Sequence, residues 1–72
     1  SKRNANISFA RQISMYIVRE ITQMPMVEIG KEFGGRDHST VVYAIQQIEE
    51  KTKKDPVTKA TVSDIIKNIR DR

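Results

Sequence analysis

Gly34-Gly35-Arg36-Asp37-His38-Ser39-Thr40-Val41 places a tight turn directly before a helix whose first turn is crowded with side chains that can hydrogen-bond. Behind that turn, Val41, Ala44, Ile45 and Ile48 recur at helical spacing, so one face of the helix must be buried. The opposite face carries Ser39, Thr40, Tyr43, Gln46 and Gln47, with Arg36, Asp37 and His38 at its leading end. A helix anchored by one face and offering polar groups from its start has the geometry needed to enter a DNA major groove.

Working outward, residues 1–7, SKRNANI, carry cationic and turn-forming side chains without helical periodicity, and read as a basic arm ahead of a domain spanning 8–72. A first helix is expected from Ser8, a plausible cap, to about Thr22, with Phe9, Ile13, Tyr16, Ile17 and Ile21 as its apolar stripe. Pro25 suits the first turn of a short second helix bearing Met26, Ile29 and Phe33, which Gly34-Gly35 ends by accepting left-handed conformations. The third helix is expected from His38, capped by Asp37, to about Lys53. Asp55-Pro56 starts a fourth, expected to bury Val62, Ile65, Ile66 and Ile69. No segment alternates as a strand, so the fold class is all-α: about four helices, the second and third forming a helix-turn-helix.

Seventy-two residues make one small domain of marginal stability. Without cysteine, neither a disulfide framework nor a thiolate metal site can staple it. No apolar run approaches the roughly 20 residues that span a bilayer, and no secretory signal is visible, so a soluble, cytoplasmic protein is expected. The net charge of +4 suits a polyanionic partner, since each neutralised phosphate releases counterions. Lys2, Arg3, Arg11, Arg19, Lys31 and Arg36 concentrate that excess in the amino-terminal half, whereas Lys51, Lys53 and Lys54 follow Glu49-Glu50 as an ordinary solvated helix end.

The run Ile29-Gly30-Lys31-Glu32-Phe33-Gly34-Gly35-Arg36-Asp37-His38-Ser39-Thr40-Val41 closely resembles the signature of the carboxy-terminal DNA-binding domain of the bacterial replication initiator DnaA. Arg11-Gln12-Ile13-Ser14-Met15-Tyr16 resembles the first helix of that family's helix-turn-helix region, and Lys2-Arg3 its basic loop. The resemblance implies that Arg3 enters the minor groove, and that Asp37, His38 and Ser39 read base edges in the major groove with help from Met26. It places Arg11, Gln12, Arg19, Arg36, Thr40, Tyr43 and Gln47 at or near the phosphate backbone. Pro25 stands where the family often has a serine-like cap, and Val27 where proline is frequent, so the start of the second helix is expected to be adjusted. By the same resemblance the chain is a fragment: the family's further helices and its ATPase module, where ATP binding would reside, precede this region.

Several chemistries are disfavoured by the residues themselves. His38 is the single histidine and has no second ligand at useful spacing, so no metal is expected. Ser39 beside a histidine in sequence makes no triad, and no Walker-type glycine loop exists, so no catalysis and no cofactor are expected of this piece. The expected function is sequence-specific binding of double-stranded DNA at origin DnaA boxes, in the initiation of chromosomal replication. The helix over 38–53 would read the major groove, and the domain alone would bind as a monomer, with oligomerisation left to domains outside it. Two alternatives share the same surface: a helical protein-interaction module, and a repressor-type helix-turn-helix, which usually dimerises on palindromes although no dimer helix is evident.

Overall fold

The computed structural model describes residues 2–72, with side chains from Ala5 onward. Within them lie helices α1 (Lys2–Thr22), α2 (Met26–Glu32), α3 (His38–Lys54) and α4 (Pro56–Arg70), and no strand. The all-α expectation holds.

The amino-terminal boundary differs from the sequence reading. Residues 2–7 continue α1, and Ser8 lies inside the helix rather than capping it. Nothing between Lys2 and Ile7 opposes this: there is neither proline nor glycine, and Lys, Arg and Ala are good helix formers. Once residues further along are docked, each upstream residue adds only a propagation step rather than a new nucleus. The arm is therefore a helical extension in its backbone; the side chain of Arg3 lies outside the described residues.

The main core cluster is built from three helices. Met15 of α1, Ile29 of α2, and Val41, Ala44 and Ile45 of α3 form one buried cluster, bordered by Tyr16, Val18, Met24, Met26 and Phe33. Ile48 and Val62 are buried as well. The spacing in α3 thus identifies its inward face correctly. In α1 the expected stripe is only half the picture: Ile17 is buried and Phe9, Ile13, Tyr16 and Ile21 are half-buried, while the deepest side chain is Met15. The reason is that α1 touches all three other helices. A helix with neighbours on two sides cannot be described by one stripe.

The termini of α3 and α4 are set by their caps. Asp37 accepts from the Thr40 amide at 2.9 Å. Asp55 accepts from the Val57 amide at 3.1 Å and from the Thr58 hydroxyl at 2.7 Å, with Pro56 opening the helix. By contrast Pro25 stands one residue ahead of α2, not in its first turn. Its ψ of 145° is extended, it offers no side-chain cap, and its carbonyl accepts from Ile29.

Along α4 the expected burial is only partly realised. Thr58 and Val62 are buried and Ile66 is half-buried, but Ile65 and Ile69 stay 36% and 41% exposed. The buried residues fall on one i, i+4 row, and 65 and 69 lie on the row beside it. Phe9 and Ile13 share an apolar groove with Val57, Thr58, Thr61 and Val62, while Arg70 donates to the Glu20 carbonyl at 3.2 Å. Thus α4 runs alongside α1 in the same direction and buries only one of its two rows. In the opposite sense, α3 brings Lys51 over the Phe9 ring, 4.2 Å from its centroid.

Candidate nucleic-acid interface

The turn between α2 and α3 is held by backbone geometry. Gly34 and Gly35 have φ of +86° and +78°, left-handed conformations that a β-carbon disfavours. Gly30 serves differently: it is buried within α2, its carbonyl accepts the Arg36 amide at 2.9 Å, and a β-carbon there would fall on the Arg36 carbonyl oxygen. This close crossing fixes the angle at which α3 leaves the turn. A glycine inside a helix pattern is the sequence signal for such a close approach, and the family-like run 29–41 carries it at Gly30.

The crossing leaves Arg36, Asp37, His38, Ser39 and Thr40 exposed in a row, followed along the same face of α3 by Tyr43, Gln46 and Gln47. Behind them Val41, Ala44, Ile45 and Ile48 are sealed into the core. Both halves of the arrangement read from the sequence are therefore brought together. Within the row, Asp37 Oδ1 accepts twice, from the Thr40 amide and from the Ser39 hydroxyl at 2.7 Å. The Ser39 hydroxyl first, then the Thr40 amide and hydroxyl, hold the Asp37 carboxyl below its ordinary value, so it is an anion at neutral pH.

The remaining sequence-derived candidates are less uniform. Arg11 and Gln12 are half-buried on α1. Arg19 is half-buried too, and its Nη1 donates to the carbonyls of Met24 at 2.7 Å and Gln23 at 3.1 Å. That side chain clasps the α1–α2 connector, where Gln23 takes a φ of +58°. Met26 is half-buried against the core cluster, so packing already occupies part of it. The side chain of Arg3, the remaining candidate, lies outside the described residues.

The family model for the bacterial DnaA protein helix-turn-helix matches residues 1–48, which take in α1, α2, the glycine turn and most of α3. The chain belongs to this family. No solved structure matches it. Membership makes this a DNA-binding domain of the kind that serves replication initiation, and the exposed row on α3 falls inside the matched region. Among the described residues no helix is long and apolar enough to cross a membrane, and no group of three or more His, Cys, Asp or Glu is arranged to hold a metal ion.

Proposed function

We propose that this domain recognises DnaA boxes in double-stranded origin DNA by inserting the first turn of α3 into the major groove. The observation that carries this is the exposed Arg36–Thr40 row on a helix whose opposite face is buried, in a chain of the DnaA helix-turn-helix family. Asp37, His38 and Ser39 are the base-edge readers, Met26 meets a thymine methyl from the flank, and Arg3 enters the adjacent minor groove. Arg11, Gln12, Arg36, Thr40, Tyr43 and Gln47 clamp phosphates, and the N–H groups of Arg19 not used on the connector join them.

A carboxylate near phosphate is repelled, so Asp37 belongs in a groove only if a base amino group compensates it. The domain binds as a monomer in the cytoplasm and catalyses no reaction. Titrating the chain with a DnaA-box duplex and a scrambled duplex at several salt concentrations tests the reading. Expected are a preference for the box and a linear fall of log affinity with log salt. Equal affinity for the two duplexes would overturn it.

A further inference from the structure

A serine hydroxyl in a DNA groove is ordinarily ambivalent, able to donate to a base acceptor or to accept from a base amino group. Ser39 is not free to choose. Its Oγ lies 2.7 Å from Asp37 Oδ1, and an ionised carboxylate has no hydrogen to give, so the hydrogen in that bond is the serine's own. The same oxygen of Asp37 is anchored by the Thr40 amide at 2.9 Å, which ties the carboxylate to the start of α3 and keeps it in position to hold the serine. Ser39 remains exposed, so what it turns outward is lone pairs alone.

We propose that Ser39 reads its base solely as a hydrogen-bond acceptor, selecting the exocyclic amino group of adenine or cytosine in the major groove. Asp37 acts on this contact as a positioning residue, by occupying the only hydrogen of the hydroxyl. Guanine O6 and N7 and thymine O4, being acceptors, are rejected at that position. The inference rests on the DNA-reading role proposed above, and sharpens it from a list of readers to a polarity at one of them.

The test crosses one substitution with single-atom changes in the DNA. Wild-type chain and Ser39→Ala are titrated against box duplexes in which each adenine in turn is replaced by purine and each cytosine by pyrimidin-2-one, which lack the amino group. Ser39→Ala keeps the Asp37–Thr40 cap, and its melting curve confirms the fold. Expected is one position where removing the amino group weakens wild-type binding roughly 3- to 10-fold, the worth of one net hydrogen bond, and leaves Ser39→Ala unaffected. Companion duplexes in which 2-aminopurine replaces guanine remove the O6 acceptor, and should show no such coupling to Ser39. Coupling to that acceptor, or to no amino group at any position, overturns the proposal while the box-over-scrambled preference of the wild type leaves the DNA-reading role standing. If the wild type itself shows no preference, both fall.

Discussion

Single residues in this domain fail for different physical reasons, and the three glycines separate them. At Gly34 the space is open but φ is positive, so Gly34→Ala should cost roughly 1–2 kcal/mol of backbone strain and leave DNA preference intact. At Gly30 the obstacle is the Arg36 carbonyl, and relief requires α2 and the turn to separate. Gly30→Ala should cost about 1–3 kcal/mol and also weaken box binding beyond what the loss of folded protein explains, because the exit angle of α3 changes. Chemical denaturation paired with binding at a temperature where both variants are folded checks the contrast. His38 behaves oppositely: being exposed, His38→Ala should leave the melting temperature nearly unchanged while box affinity falls about 1–3 kcal/mol.

Helix ends carry the pH dependence. Asp37 and Asp55 both have carboxyls lowered from the ordinary value of 3.8, chiefly by the hydroxyls of Ser39 and Thr58 respectively. For an acid whose folded value is depressed, the stabilisation is whole above 3.8 and is lost as pH falls through the lower folded value. Melting of wild type against Asp55→Asn should therefore show a gap at neutral pH that closes as the solution is acidified below that range. A gap that stays constant would mean the cap does not act through its charge. The connector between α1 and α2 makes a second point at this scale. Because Arg19 bonds two backbone carbonyls there and turns its other N–H groups to phosphate, Arg19→Ala should lower both the melting temperature and the salt slope. Arg36→Ala, exposed and outside the core, should reduce that slope by about 1 and leave melting unaffected.

The molecule as a whole has little stability to spare. At about 0.05–0.15 kcal/mol per residue, 72 residues give about 4–11 kcal/mol. Ile29, fully buried where α1, α2 and α3 meet, is worth about 2–5 kcal/mol against alanine. Ile29→Ala should accordingly leave a substantial unfolded fraction near physiological temperature, and saturating box DNA should restore cooperative melting by binding only the folded form. A variant that melts like wild type without DNA would show that α2 is not needed to close the core. Since α2 has seven residues and no side-chain cap, burial of Ile29 is the main thing holding it in place.

Local chemistry alone sets the caps of α3 and α4, the glycine turn and the two faces of α3, although the local readings of Ser8 as a cap and of Pro25 in the first turn of α2 do not hold. Asp37 and Asp55-Pro56 start helices because a short acidic side chain can satisfy the free amides, and Gly34-Gly35 turn because only glycine enters left-handed space cheaply. The inward face of α3 and its outward face, Ser39, Tyr43, Gln46 and Gln47, follow from the period of the helix alone. Other features depended on neighbours. Met15 outranks the expected stripe of α1 because partners approach that helix on two sides. Ile65 and Ile69 stay exposed because α4 has one row in contact, and residues 2–7 are helical because α1 is already docked. Gly30 matters only where the turn crosses back over α2. Periodicity and caps, with the Ser39–Asp37 contact among them, are properties of a few consecutive residues, whereas burial and close crossing depend on which atoms the completed fold brings within reach.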